Sequence, residues 1–327
     1  LDAVGVDALV DTCQALGLRT LEERERYGLA LTLGGGEVRL LELTSAYAGL
    51  AAGGRRVSPL PILAVLDAEG LRAGLEGARE WKSASAVSAS QVVSDRAAFL
   101  VTDILSDDAA RIPAFGEAGV LALDRPAAVK TGTTNDFRDN WTMGYTPDLA
   151  TGVWIGNADY TPMVNTTGLS GAAPIWSQFM QYAAPIVSGG NLRAFSPPAG
   201  IMDKVICSLS GAEPSQWCRG GQRTEFYASD QPPLPRSEDL VTRTTIDTWT
   251  GLIAGDACQD FAKEEQVMNV TDQWARRWFK TGDGRAWLES NDLPRNPFYK
   301  PERECSSDDP RPVLEFANLK EIDTIAE

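Results

Sequence analysis

Apolar residues in the first third of the chain recur at helical spacing and predict three amphipathic helices. A spacing of three or four residues holds over residues 6–16 and 38–52, and again over residues 90–105, where Ser90 is a candidate N-cap. Residues 55–66 lack this period and are expected to be extended. Because a helix with one apolar face needs a surface to pack on, the three segments are interpreted as core elements.

A period of two replaces the helical period between residues 127 and 155. Three short runs, at 127–132, 140–145 and 150–155, predict an antiparallel meander, with Thr146-Pro147-Asp148 as the turn between the second and third. A helix is predicted next, over residues 173–184. Its large apolar side chains are expected to dock on that sheet: Ile175, Trp176, Phe179, Met180 and Tyr182. Strands followed by a covering helix predict the α+β class.

A change of composition after Ser188-Gly189-Gly190 predicts a boundary between two domains, residues 1–186 and 187–327. The second part is rich in Pro, Gly, Ser and Trp, and its periodicity is weak. It is therefore expected to be a loop-rich extension, with short helices at 271–279 and 286–288. No internal repeat is evident in the sequence.

Composition excludes several classes of function. The chain has no histidine, which removes Ser-His-Asp and Cys-His catalysis and the commonest zinc ligand, so lysine-based acyl transfer becomes the natural candidate. A net charge of −15 argues against a nucleic-acid partner, because phosphate binding relies on clustered Lys and Arg.

No metal and no cofactor are predicted. The apolar stretches are shorter than the roughly 20 residues that a membrane span needs.

Four of the five cysteines lie in the second part of the chain: Cys207, Cys218, Cys258 and Cys305. None belongs to a C-x-x-C pair, so two disulfides and an oxidising, extracytoplasmic location are expected. Proximity in sequence favours Cys207 with Cys218, which leaves Cys258 with Cys305, although three pairings remain formally open. Cys13 lies on the apolar side of the first helix and is interpreted as a buried small hydrophobe.

The tripeptide Lys-Thr-Gly occurs twice, in different contexts. The copy at Lys280-Thr281-Gly282 comes after a charged helical stretch and is interpreted as a helix-ending turn. The copy in Val129-Lys130-Thr131-Gly132-Thr133-Thr134 falls on the first run of the meander, which is expected to be an inner strand. A strand is the context that the Lys-Thr-Gly motif of serine acyl-transferases requires.

The sequence around Lys130 resembles class A penicillin-binding proteins. The resemblance covers about residues 1–182 and is carried by several segments: Tyr27 to Val38, Leu41 to Tyr47, Lys130 to Asn135, Asp139-Asn140-Trp141, Gly144-Tyr145-Thr146-Pro147 and Val153-Trp154-Ile155-Gly156. It implies the carboxy-terminal part of a serine β-lactamase-like transpeptidase domain, an antiparallel sheet covered by helices. The tail around Cys207 and Cys218 is similar to extracellular extensions of some members.

The resemblance also implies roles for individual residues. Lys130, Thr131, Gly132 and Thr133 would line one wall of the catalytic site. Lys130, Thr131, Thr133 and Thr134 would contact the substrate, and the backbone N–H of Thr133 would be one of two oxyanion donors. A cationic Lys130 and neighbouring hydroxyls suit the terminal carboxylate of a D-Ala-D-Ala stem peptide or a β-lactam. Gly132 would let the substrate backbone lie along the strand edge.

The family's nucleophile motif is missing from the chain. None of the seven lysines has a serine three positions earlier, and no serine has an asparagine two positions later. The opening residues, Leu1 to Val6, resemble the segment immediately after the S-x-N motif in the family. The sequence is therefore expected to begin after the first two motifs and to be inactive in isolation. The resemblance implies membrane anchoring, and a glycosyltransferase domain, only through an upstream segment.

Two other hypotheses remain. The same scaffold could be a D,D-carboxypeptidase or a β-lactamase, which the spacing from Tyr27 to Lys130 disfavours. Alternatively, the chain could be a non-catalytic module that binds the cell wall or a partner. Trp141, Trp154 and Trp176 could stack on sugars, but their alternation with apolar neighbours favours core packing.

Overall fold

The computed structural model describes residues 1–61, 89–117 and 119–310, so part of the segment 55–66 that was expected to be extended lies outside the described residues. The chain divides into two compact units, Leu1–Ile201 and Met202–Glu327. The first unit contains, in chain order, α1 (Val6–Leu16), α2 (Leu40–Ala51), β1 (Arg55–Arg56), β2 (Ser90–Gln91), α3 (Asp95–Ser106), α4 (Asp108–Phe115), β3 (Ala128–Thr133), β4 (Asp139–Tyr145), β5 (Ala150–Gly156) and α5 (Ala172–Val187).

The predicted meander is present as a three-stranded antiparallel sheet in the order β3-β4-β5. In its register, Lys130 lies opposite Met143 and Gly132 lies opposite Trp141. The turn between β4 and β5 is the predicted one: the Thr146 N–H donates to the Leu149 carbonyl at 2.8 Å. The α+β prediction for this part of the chain is confirmed.

Helices cover both faces of this sheet. On one face, Tyr145 packs edge-on against Tyr47 of α2, with ring centroids 6.1 Å apart, and its hydroxyl lies 2.8 Å from the Thr102 hydroxyl of α3. On the other face, Val129 shares a buried cluster with Trp176 and Met180 of α5. Burying apolar side chains on both faces holds β3 and β4 in place.

The contacts of α5 differ in part from the prediction. Trp176 and Met180 face the sheet and are fully buried, as expected, but Ile175, Phe179 and Tyr182 are exposed. The reason is helical geometry: Trp176 and Met180 are four residues apart and share one face, whereas the other three project away from it. The helix carries no charged residue among its 16.

The second unit is more regular than its sequence suggested. It is built on two hairpins and two short helices: β6 (Ile201–Cys207), β7 (Gln222–Ala228), β8 (Val241–Asp247), β9 (Ala262–Met268), α6 (Gln273–Trp278) and α7 (Gly282–Ser290). The helix α6 lies within the predicted segment 271–279, and α7 is longer than the predicted 286–288, which it contains. A core cluster of Val241, Met268, Phe279, Leu288 and Leu293 joins β8 and β9 to the helices. Loops still make up much of the unit.

The two hairpins are copies of one another, 40 residues apart, so the absence of a repeat was a wrong conclusion. β6 and β8 begin at residues 201 and 241, and β7 and β9 begin at residues 222 and 262. After each first strand, a left-handed glycine donates its N–H to the last residue of that strand, from Gly211 to Cys207 and from Gly251 to Asp247, at 2.8 and 2.9 Å. Few residues are identical between the two hairpins, so the duplication is hard to recognise in the sequence. Besides the equivalent glycines, the hairpins share a hydroxyl residue at the preceding position, Ser210 in the first and Thr250 in the second.

Both disulfides that proximity favoured are present, Cys207–Cys218 and Cys258–Cys305. Cys218 and Cys258 are equivalent positions of the duplicated hairpins. Their partners are not equivalent, because Asp247 stands where the first hairpin has Cys207. Cys13 is a free, half-buried thiol, and burial raises its pKa.

None of the helices in the described part of the chain has the length and apolar character of a membrane span.

Candidate functional site

β3 carries the first Lys-Thr-Gly copy at the edge of the sheet. Its only strand partner among the described residues is β4, so the expectation of an inner strand was wrong. The reason is topological: β3 is the first strand of the meander, and no described strand returns to its outer side. One row of backbone groups is therefore available for another chain.

The register decides which backbone groups of β3 point outward. The Thr134 N–H donates to the Asp139 carbonyl at 3.0 Å, which makes these two residues a hydrogen-bonded pair. Hydrogen-bonded and non-hydrogen-bonded pairs alternate in an antiparallel ladder. Thr133 and Thr131 are therefore in non-bonded pairs, opposite Asn140 and Thr142. Their N–H and carbonyl groups point away from β4, towards the free edge.

The side chain of Lys130 bends towards the same edge. Its ammonium donates to the Thr131 carbonyl at 2.6 Å, and the residue is exposed. Among the residues described, Lys130 forms no ion pair. Its positive charge is thus held beside the outward-facing backbone without being neutralised by a carboxylate.

Side-chain alternation divides the motif between the two faces of the sheet. Lys130 and Gly132 lie on the face covered by α2 and α3, whereas Thr131 and Thr133 lie on the face covered by α5. The two faces meet at the outer edge of β3. A side chain at Gly132 would find open space apart from the Trp141 Cβ at 3.5 Å.

Thr134 belongs to the turn after β3. Its hydroxyl donates to Asp139 Oδ2 at 3.1 Å and accepts from the Asp139 N–H at 2.8 Å. Asp139 Oδ1 accepts from the indole N–H of Trp154 at 2.8 Å. Asp136 and Phe137 both have left-handed backbone angles, with φ of 58° and 55°. This network fixes the carboxyl end of β3.

Trp141, Trp154 and Trp176, which the sequence pattern predicted to be core residues, differ in exposure. Trp176 is fully buried, whereas Trp154 is 38% exposed. Trp154 packs beside Trp141, with ring centroids 6.3 Å apart, on the Lys130 face of the sheet.

The second Lys-Thr-Gly copy has a different geometry. Thr281 is the N-cap of α7, and its hydroxyl accepts from the Gly284 N–H at 3.1 Å. The tripeptide lies in the turn that ends α6, as expected, because the Lys280 and Thr281 N–H groups donate to the Arg277 and Trp278 carbonyls at 3.1 and 2.9 Å. It also leads directly into α7, and the threonine hydroxyl is used for capping. A cap residue of this kind satisfies a helix N–H that would otherwise be unpaired.

Sequence reasoning missed the segment 166–171, which lies under the motif just before α5. The Gly168 N–H donates to the Thr133 hydroxyl at 3.0 Å, and the Gly168 carbonyl accepts from the buried Thr142 hydroxyl at 3.1 Å. The Asn140 side chain is hydrogen-bonded to the Thr166 hydroxyl at 2.9 Å. The only sequence signal was a run of small residues that looked like a loop.

Burial raises the pKa values of two tyrosines on the face of the sheet that α2 and α3 cover. Desolvation raises the pKa of Tyr145 to about 12, even though its hydrogen bond to Thr102 acts in the opposite direction. Burial also raises the pKa of Tyr47. Both phenols therefore remain neutral over the physiological range.

Two clusters of acidic and sulfur side chains occur in the described residues of the second unit: Cys207, Cys218 and Asp239, and Asp247, Cys258 and Cys305. In both clusters the sulfurs are joined in disulfides. They do not offer the thiolates that bind zinc.

The sequence and the fold of this chain are similar to those of known proteins. No protein-family model matches the chain. Penicillin-binding protein 2D of Bacillus subtilis is 30% identical over 234 residues, which is 70% of this chain and 31% of that protein. Penicillin-binding protein 1A of Neisseria cinerea is 32% identical over 207 residues, 62% of this chain and 24% of that protein. The crystal structure of penicillin-binding protein 1A from Haemophilus influenzae matches with a TM-score of 0.57 and 25% identity, covering 71% of this chain and 38% of that one.

The sheet, its helices and the edge-strand motif define a penicillin-binding transpeptidase fold. By sequence and by fold, the chain is similar to the penicillin-binding proteins, and the similarity is consistent with the transpeptidase region of class A members. It spans less than a third of the length of the two curated relatives, 31% and 24%.

Proposed function

We propose that this chain supplies the Lys-Thr-Gly wall of a serine D,D-transpeptidase that crosslinks peptidoglycan stem peptides and is acylated by β-lactams. Residues 1–186 would form the carboxy-terminal part of the transpeptidase domain, and residues 187–327 an extracytoplasmic extension. The observation that carries the proposal is the outer edge of β3, where outward-facing backbone groups lie beside the Lys130 ammonium, which has neither an ion-pair partner nor a neighbouring outer strand among the described residues.

The edge suits an extended peptide that ends in a carboxylate. A peptide added along β3 would contact Lys130 from one face of the sheet and Thr131 and Thr133 from the other. A charge-assisted hydrogen bond from the ammonium would hold the carboxylate, and Gly132 leaves room for the substrate backbone. The outward N–H of Thr133 would serve as an oxyanion donor, and such a donor contributes about 2.7 to 4 kcal/mol. Thr134 would act mainly through the turn with Asp139.

The nucleophile is assigned to polypeptide outside these 327 residues, because no S-x-x-K sequence occurs within them. In the proposed reaction, the serine oxygen attacks the penultimate D-Ala carbonyl and forms an ester. The terminal D-Ala leaves with the proton taken from the serine. The amine of a second stem peptide then attacks the ester, which completes the crosslink and releases the serine. The chain by itself is expected to be inactive.

Location is part of the same proposal. The two disulfides suit an oxidising, extracytoplasmic compartment, and any membrane anchor would be supplied by the rest of the protein. Neither a cofactor nor a nucleic acid enters the proposed reaction.

Product analysis tests this function. The full-length protein encoded with this chain is incubated with peptidoglycan strands that carry pentapeptide stems, and the digested products are separated by mass. We expect crosslinked dimers. Release of D-alanine without dimers would instead identify a carboxypeptidase, and the absence of both would contradict acyl transfer.

A further inference from the structure

We infer that Gly168 is a positioning residue of the proposed site, which fixes the Thr133 hydroxyl as a hydrogen-bond donor towards an anionic ligand group. The inference rests on the proposed function and adds to it a residue outside the motif. Its basis is the close packing of Gly168 against the backbone that carries Lys-Thr-Gly.

Gly168 lies flat against the ladder between β3 and β4. A Cβ at this position would be 2.5 Å from the Gly132 carbonyl oxygen and 2.7 Å from the Trp141 carbonyl oxygen. Both distances are too short for an unstrained side chain. The backbone of Gly168 is not in the left-handed region, so the need for glycine here comes from this contact.

The same residue determines how the Thr133 hydroxyl can be used. The Gly168 N–H donates to the Thr133 oxygen at 3.0 Å, which occupies one acceptor site of the hydroxyl. A hydroxyl has one hydrogen to donate, and no acceptor for it is found among the residues that the structure describes. With one lone pair occupied, the hydrogen is directed away from Gly168. A ligand carboxylate at the edge would accept it.

The position of Gly168 is fixed by two hydrogen bonds to its carbonyl. Its carbonyl accepts from the Thr142 hydroxyl at 3.1 Å and from the Ala173 N–H at 2.9 Å. Thr142 is fully buried on β4, opposite Thr131. The contacts therefore run from the buried Thr142 hydroxyl through Gly168 to the hydroxyl of Thr133, an exposed residue on the same face of the sheet.

The test is a double-mutant cycle in the full-length protein, with the rate of covalent labelling by a fluorescent penicillin as the readout. Gly168→Ala should lower the labelling rate by as much as roughly 100-fold, because a binding group displaced by about 1 Å can reduce a rate by that factor. Combined with Thr133→Val, the loss should be clearly smaller than the product of the two single losses, because both changes remove the same interaction.

Gly28→Ala is the matched control. A Cβ on Gly28 meets nothing within 4 Å, and its φ of −119° suits alanine, so this variant should label at the wild-type rate. Thr142→Val provides a second route to Gly168 without a steric clash, in case Gly168→Ala does not fold. It should also combine less than multiplicatively with Thr133→Val.

The outcomes separate the two proposals. If the wild-type protein forms no covalent adduct, the proposed function fails, and this inference fails with it. If the wild type labels but the losses from the Gly168 or Thr142 variants multiply fully with that of Thr133→Val, the proposed function stands and the positioning role is rejected. A wild-type labelling rate in folded Gly168→Ala would also reject it.

Discussion

Individual glycines of the sheet differ in how closely their surroundings pack against them. Gly132 on β3 has open space beside it, and its nearest neighbour would be the Trp141 Cβ at 3.5 Å. Gly144 on β4 lies under the Trp176 ring, and a Cβ there would be 2.8 Å from the Ala128 carbonyl oxygen. The sequence motif identified Gly132, but the sequence did not show the close packing around Gly144 and Gly168, because their neighbours come from distant segments.

Alanine substitutions should separate these two roles. Gly144→Ala is expected to lower the free energy of unfolding by about 1–3 kcal/mol, because it overpacks a filled core. Gly132→Ala should change it by less than about 1 kcal/mol, while it slows penicillin labelling by narrowing the site. Thermal unfolding and labelling of both variants in the full-length protein check this. A large loss of stability from Gly132→Ala would show that the glycine is structural.

At the scale of elements, local patterns predicted what depends on local sequence. The helices α1 and α2, the three strands of the meander and the Thr146 turn lie close to where periodicity and turn residues indicated. For α3 the predicted N-cap was wrong: Ser90 lies in β2, and the helix begins at Asp95 with Ser94 as its N-cap, whose side chain accepts from the Ala97 N–H. The edge position of β3 was missed because it depends on which strands pair, and the exposed face of α5 because it depends on what covers the helix. The strands β6 to β9 were missed because polar and loop-forming residues hide their alternation.

The duplicated hairpins of the second unit differ in how their disulfides close. Cys207–Cys218 spans 11 residues within one hairpin, whereas Cys258–Cys305 spans 47 residues and fixes the second hairpin to a later segment. In the chain-entropy description, the longer loop contributes about 1 kcal/mol more to stability. Replacing both members of each pair by serine should therefore destabilise the second unit more for Cys258 and Cys305. Chemical denaturation monitored by tryptophan fluorescence measures this, and the opposite order would contradict it.

At the scale of the whole molecule, the two units carry one Lys-Thr-Gly copy each, and their settings favour the first copy as the proposed functional one. In the first unit the tripeptide lies on a strand edge, and the Lys130 ammonium has no ion-pair partner among the described residues; in the second unit the tripeptide leads into a helix. The sequence favoured the first copy through its neighbours. It could not show the outward direction of the Thr133 N–H, which is set by the register of β3 on β4.

The most direct test compares Lys130→Ala with Lys280→Ala in the full-length protein, measuring the rate of covalent labelling by a fluorescent penicillin. Loss of a charge-assisted hydrogen bond of about 1.5–3 kcal/mol should slow labelling of Lys130→Ala roughly 10- to 100-fold, while Lys280→Ala should label like the wild type. Equal labelling of Lys130→Ala and wild type would contradict the assignment of the β3 edge as the site.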